Sequence, residues 1–277
     1  MKYSFITDDL FAEITLPKAS YKIFIPSQED AISRGLLSTK TPYEIDMLAA
    51  MLNRLEPGDI CLDIGANIGN HTLFLAAHGI RVIAFEANSD LCHLLDKSIK
   101  ANGFSDLVTV HNLGLGGAYG TASLPEQSPG NLGGWHLHAG TDIKVVPLDS
   151  FTFPEKISAV KIDVERWEPF VFAGGKNTFL THSPDIYCEI NLGEMTHIYK
   201  MFNLLRDMDY VCVDHWQHLN NYLFTPYKKI AGLDSILKTI MYNQLFDSLK
   251  LKYLQESVIY TQRSINTLIA NLSKNNN

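Results

Sequence analysis

The chain has 277 residues, 46% of them hydrophobic, and a formal charge of −7 from 23 Lys/Arg against 30 Asp/Glu. That length and apolar content allow one large domain, or one domain with an appendage, built on a sizeable core. No apolar run approaches a membrane span, and an acidic net field would not attract a phosphate backbone, so a nucleic-acid partner is not expected.

The start, Met1 to Ile6, lacks the apolar region and cleavage site of a secretory leader. Four scattered cysteines (Cys61, Cys92, Cys188, Cys212) have no metal-ligand spacing and suggest reduced thiols in a cytoplasmic protein. Residues 1–40 alternate short apolar runs, such as Tyr21 to Ile25, with polar turns, and read as a strand-bearing lead-in. Thr41-Pro-Tyr-Glu44 has the form of a capping box opening a helix, with Pro42 suited to the first turn. Ile45, Leu48, Met51, Leu52 and Leu55 would be its apolar face, and Pro57-Gly58 the turn after it.

Ile60 to Ile64 has the length and character of a buried strand, interrupted by one acid, Asp63. Gly65, Asn67 and Gly69 then form a turn into an apolar helix, Thr72 to His78. Such a junction lets a ligand touch backbone N–H groups, and these residue types suit positive φ. The dinucleotide pattern G-x-G-x-x-G is not met, because Asn67 and Asn70 stand at its second and third glycine positions. Asp63 beside the turn would repel a pyrophosphate but suits a ligand carrying an ammonium and a sulfonium. A second strand, Arg81 to Glu86, ends on an acid 21 residues after Gly65, where a carboxylate can accept both ribose hydroxyls. This order of groups predicts S-adenosylmethionine (SAM) as cofactor, bound by Asp63, Gly65, Asn67, Gly69 and Glu86.

Asn88 to Ala101 predicts a helix with Leu91, Leu94, Leu95 and Ile99 on one face, stopped by Asn102-Gly103. Leu107 to Asn112 is a third strand, and Asn112 at its end could meet an adenine edge or serve the turn itself. The Gly-rich segment Leu113 to Thr141 is long for a connection, which favours a functional loop or hairpin. It carries Asn131, Trp135, His136 and His138, but no third ligand accompanies the two histidines, so no metal is expected. After the strand-like run Ile143 to Leu148 comes a core strand, Ala159 to Glu165. Strand alternation would aim its two terminal acids, Asp163 and Glu165, the same way. Glu168 opens a short helix that Gly174-Gly175 would end. Asp185 to Asn191 is the next strand and Met195 to Met208 an amphipathic helix. Tyr210 to Val213 and Tyr222 to Phe224 then frame a loop that contains His215. Strands alternating with helices predict a mostly parallel sheet covered on both faces.

From about Tyr43 to Phe224 the sequence resembles the FkbM-type SAM-dependent methyltransferases. The resemblance is carried by Leu62-Asp-Ile-Gly-Ala-Asn-Ile-Gly69, Ala84-Phe-Glu86, Leu148-Asp149, Val160-Lys-Ile-Asp-Val-Glu165 with Glu168, and Glu189. It implies an α/β class I methyltransferase fold, a Rossmann-like sheet of order 3-2-1-4-5-7-6, and O-methylation of a sugar, glycan or polyketide-like small molecule. Family members usually show Glu-Pro-Asn where this chain has Glu86-Ala-Asn88, and Glu-Gly-x-Glu where it has Glu165-Arg-Trp-Glu168. In the implied fold the ligand crevice lies where strand order reverses, between the Asp63 and Asp163 strands. Asp163 is then the first choice of base or hydroxyl anchor, with Glu165 and His215 behind it. The competing reading pairs these acids with Lys161 or Arg166 as structural salt bridges.

The expected organisation is a lead-in (1–40), a SAM-binding domain (41–227) and a helical C-terminal tail (228–277). In the tail, Leu254, Val258, Thr261, Ile265, Leu268 and Leu272 form a heptad-like stripe, for a helical pair packed on the domain or a homodimer contact. Two other functions stay open: a catalytically inactive binding or scaffold protein, and a nucleotide-linked oxidoreductase, which Asp63 and Asn67 disfavour.

Overall fold

The computed structural model describes residues 9–124, 138–190, 195–216, 220–230, 243–245, 247–252 and 254–255. An antiparallel hairpin, β1 (Phe11–Thr15) and β2 (Ser20–Phe24), leads into helices α1 (Ala31–Thr39) and α2 (Ile45–Leu52). Next come β3 (Ile60–Ile64), α3 (Asn70–Ala77), β4 (Arg81–Glu86), α4 (Ser89–Asn102) and β5 (Val108–Asn112). Four short strands follow: β6 (Gly114–Leu115), β7 (Gly120–Ser123), β8 (His138–Ala139) and β9 (Ile143–Val146). The chain continues through β10 (Ile157–Ile162), α5 (Glu168–Gly174), α6 (Lys176–His182) and β11 (Asp185–Glu189). It then forms α7 (Met195–Asp207), β12 (Tyr210–Trp216) and β13 (Asn221–Pro226).

The main sheet has the order β5-β4-β3-β10-β11-β13-β12. It is parallel except for β13, which runs antiparallel to both neighbours. Counting only the strands of this sheet, the order is the expected 3-2-1-4-5-7-6. The segment Leu113 to Thr141 contributes to a second, four-stranded sheet of order β6-β9-β7-β8. Asn131, Trp135 and His136 lie outside the described residues, and His138 is exposed.

Strand alternation divides the core in two. Cys61, Ala159 and Tyr187 point to one face and pack with α2, α3, α4 and the β1–β2 hairpin. Leu62, Ile64, Val160, Ile162 and Cys188 point to the other, against α5, α6 and α7. Ala12, Ile14, Tyr21, Ile23 and Leu36 are buried in the first cluster, so the lead-in shares the core of the sheet. Leu249, with Leu245 beside it, packs on the second face. The stripe from Val258 to Leu272 lies outside the described residues.

Three local expectations are corrected. Glu44 does not complete a capping box: it sits at φ 61°, makes no side-chain cap, and turns its carboxylate into the interior. Thr41 Oγ1 bonds Thr39 Oγ1 instead, and the helix begins at Ile45. β10 ends at Ile162, so Asp163 and Glu165 leave the sheet in a turn. Within that turn Glu165 (φ 46°) and Arg166 (φ 70°) are both left-handed.

Candidate active site

The strands β3, β4 and β10 end on one side of the sheet, and the cavity there has a volume of about 520 Å³. That is within the range of small-molecule sites. One wall is the turn after β3 (Gly65, Asn67) with the end of β4 (Glu86, Asn88) and Leu91 of α4. A second is the turn after β10 (Asp163, Glu165, Trp167) with Glu189 at the end of β11. Residues 31–44, including Tyr43 and Glu44, close a third side.

The turn after β3 is built from left-handed residues: Gly65 at φ 84°, Asn67 at 53° and Gly69 at 94°. Gly65 is also required by close approach, because a Cβ there would lie 1.8 Å from the carbonyl oxygen of Asp163. Gly69 faces away from the cavity, with Leu95 occupying the space a side chain would need. The N–H groups of this turn are already engaged, against the expectation that a ligand would use them. Those of Gly65 and Ala66 donate to Phe85 O, that of Asn67 to Glu86 Oε2, that of Ile68 to Asn67 Oδ1, and that of Gly69 to Ala66 O. A pyrophosphate would therefore meet satisfied donors and nearby acids, which is unfavourable.

Glu86 lies on the cavity wall and is buried. Its two oxygens accept from the N–H groups of Asn67 and Asn88, each at 2.8 Å. Burial raises its pKa, opposed by these two hydrogen bonds. Three other residues expected at the cofactor support the wall instead of facing the cavity. Asp63 is fully buried beneath the turn, where it accepts from Thr72 Oγ1 at 2.5 Å. Asn112 is exposed and ties β5 to β4, its Nδ2 donating to Glu86 O at 2.9 Å. Gly69 forms the entry to α3. His215 is not at the cavity: it is an exposed residue of β12, the edge strand, stacked on Tyr222 at 6.1 Å.

The wall at the end of β10 is strongly acidic. Asp163, Glu165 and Glu189 each place an oxygen so that all three lie within 4.8 Å of one another. Asp163 and Glu165 thus meet as expected, through the left-handed turn and not through strand alternation. Two full negative charges at that separation would repel by about 3 kcal/mol at an effective dielectric of ~20. A cation at this place is Lys161, two residues before Asp163 and fully buried. Its Nζ lies 3.5 Å from Asp163 Oδ2. That contact is electrostatic, since among the described residues Nζ makes no hydrogen bond. Burial is the strongest single influence on Asp163 and disfavours its charge, but the ammonium of Lys161, the hydrogen bond with Glu189 and the nearby His71 together hold the carboxyl below its usual pKa. Glu189 is driven the other way, by burial and then by the charge of Asp163 beside it.

Behind this wall Glu44 links distant parts of the chain. Its Oε2 lies 2.8 Å from His71 Nε2, and its Oε1 accepts from Asn221 Nδ2 at 2.6 Å. Sequence reasoning missed Glu44 and His71, and treated Lys161 only as a salt-bridge partner. The one available signal was a lysine inside an apolar strand, between Val160 and Ile162, two residues before an acid. Asp163 and Lys161 do form the anticipated ion pair.

A family model described as "Methyltransferase FkbM domain" matches residues 63–212, more than half of the chain. No curated protein matches. Among solved structures, the methyltransferase FkbM from Methylobacillus flagellatus is 19% identical, with a TM-score of 0.47. The match covers 62% of this chain and 44% of that one, so the chain spans under half of that relative's length. An rRNA methylase from Streptococcus thermophilus is 15% identical over 65% of this chain and 90% of that one, with a TM-score of 0.41. A methyltransferase structure from Streptococcus mutans, in complex with SAH, is 11% identical over 66% and 96%, with a TM-score of 0.43.

Proposed function

As the chain belongs to the FkbM methyltransferase family, we propose that it transfers a methyl group from SAM to a hydroxyl of a small molecule of the sugar, glycan or polyketide type. The observation that carries the reading is Asp163: an acid held ionised by Lys161, on the wall of the cavity that Glu86 also lines. The residues fit SAM better than a dinucleotide, because the turn has no N–H to spare and the walls are acidic. Glu86 would hold the ribose hydroxyls, and the turn from Gly65 to Asn67 would form the floor. When bound, SAM supplies an electrophilic methyl group on a sulfonium.

The chain's own residues do the rest. A neutral hydroxyl is a poor nucleophile, and Asp163 is placed to take its proton as the oxygen attacks. A positioned base of this kind contributes about 10²–10⁴-fold. Residues 31–44 line the cavity beside the acids. The acidic wall and the net charge of −7 support a neutral or cationic small acceptor over a polyanion.

The test uses labelled SAM with fractionated metabolites to find an acceptor, followed by Asp163→Asn. This variant keeps the shape and removes the base. The expected result is unchanged SAM affinity with kcat lowered by about 10²–10⁴-fold. A loss confined to KM for the acceptor would mean that Asp163 anchors the substrate only. Turnover at the wild-type rate would remove Asp163 from the chemistry.

A further inference from the structure

The placement of Lys161 has a consequence for protons in the site. A lysine with no exposed surface and no hydrogen bond among the described residues is an expensive group to keep charged. Its ammonium points at carboxyl groups from several elements. Asp163 follows it at 3.5 Å, with Glu189 from β11 and Glu165 from the turn beside Asp163. Asp63 of β3 lies opposite Lys161 in the strand register, and Glu44 precedes α2. Around Asp163 are also His71 of α3, Glu168 of α5 and Tyr43. One ammonium cannot neutralise all these acids, and Asp163 and Glu189 are close enough to share a hydrogen bond.

We infer that Lys161 and Glu189 act with Asp163 as one proton-holding unit, in which the buried ammonium keeps Asp163 unprotonated and Glu189 carries the proton that the two carboxyls share. Distance explains the asymmetry. Lys161 Nζ lies 3.5 Å from Asp163 Oδ2, whereas Glu189 reaches the group from the end of β11, the next strand. This deepens the proposed function and rests on Asp163 being the base. In the transfer, the acceptor O–H bond breaks, its proton passes to the free oxygen of Asp163, and the O–CH3 bond forms as the S–CH3 bond breaks. The proton then leaves Asp163 to solvent, and Glu189 keeps its own throughout. Lys161 and Glu189 are positioning residues: neither needs to touch the acceptor.

The experiment needs no acceptor. Infrared spectra of the full chain at neutral pH are compared for wild type, Glu189→Gln and Lys161→Met. The wild type should show the C=O stretch of buried neutral carboxyls, Glu168 among them, and the Glu189→Gln difference spectrum should show the loss of one further such band. In Lys161→Met the carboxylate band of Asp163 should titrate at least tenfold more readily, moving up by one pH unit or more. Should Lys161→Met fail to fold, Lys161→Arg replaces it and should retain the wild-type titration. A Glu189→Gln difference spectrum with no neutral-carboxyl loss would overturn the inference, as would identical titration with and without the Lys161 charge. The proposed function fails separately, if Asp163→Asn turns over normally while the infrared assignment stands.

Discussion

Gly65→Ala tests whether the contact between the turn after β3 and the end of β10 organises the site. A Cβ at position 65 would lie 1.8 Å from Asp163 O, and real Cβ contacts do not fall below 3.0 Å, so the two segments must part by 1.2 Å or more. The obstacle is backbone, which no rotamer change relieves. Asp163 N donates to Ile64 O at 2.9 Å, and the same displacement would break that bond. The terms are about 1–2 kcal/mol for a non-glycine residue in the left-handed region, about 0.5–1.5 for the hydrogen bond and about 1–3 for overpacking. Together they give roughly 3–6 kcal/mol, or about 5–10 °C in Tm for a chain of this size. Gly58→Ala is the control: its φ is 93°, yet nothing lies within 4 Å of its Cβ position. It should lose only the conformational part, about 1–2 kcal/mol. Thermal unfolding of both variants decides the matter. If Gly65→Ala melts within a degree or two of Gly58→Ala, the contact does not constrain the crevice and the reasoning is wrong.

Glu86→Gln keeps one acceptor oxygen and should weaken SAM binding by about 1.5–3 kcal/mol in calorimetry. Glu86→Ala should also lower Tm, because it strands the N–H groups of Asn67 and Asn88 that Glu86 now satisfies. Arg166→Gly relieves an exposed residue held at φ 70° and should raise stability by about 0.5–1 kcal/mol in urea denaturation. Glu168 is buried, and burial first among its causes raises its pKa from 4.5 to about 7. A folded pKa above the unfolded one adds stability that is fully present below pH 4.5 and lost as pH rises through 7. Wild type should therefore lose up to about 3 kcal/mol more than Glu168→Gln across that window.

Much of the sheet was legible because its strands are short apolar runs ended by acids or turn residues, and the crevice follows from where those runs stop. Structure and expectation part at particular residues. Asp63 and Glu86 looked equivalent as acids at strand ends, but Glu86 reaches the cavity wall while Asp63, one residue before the end of β3, points beneath the turn to Thr72. Spacing gives the face of a strand and not the depth at which a side chain finds its partner. Glu44 satisfied a local capping pattern, yet its carboxylate bonds Asn221, 177 residues away, and tertiary pairing of a buried acid outweighs a cap. The left-handed turn at Glu165 and Arg166 was unreadable because neither residue advertises positive φ. His215 was expected in a loop, but it lies on β12, at the edge of the sheet.

The walls of the cavity come from inside and outside the segment that the family model matches. The family match begins at residue 63, whereas the wall facing the acids is formed by residues 31–44. Those residues hang from a helix and a turn that precede the shared domain, and Glu44 pins them to it through His71 and Asn221. Under the proposed function, donor handling and acceptor choice would then fall on separate segments, joined at one buried carboxylate. A chimera that exchanges residues 31–43 for a relative's while retaining Glu44 would change which molecule is admitted and leave the methyl-transfer machinery in place.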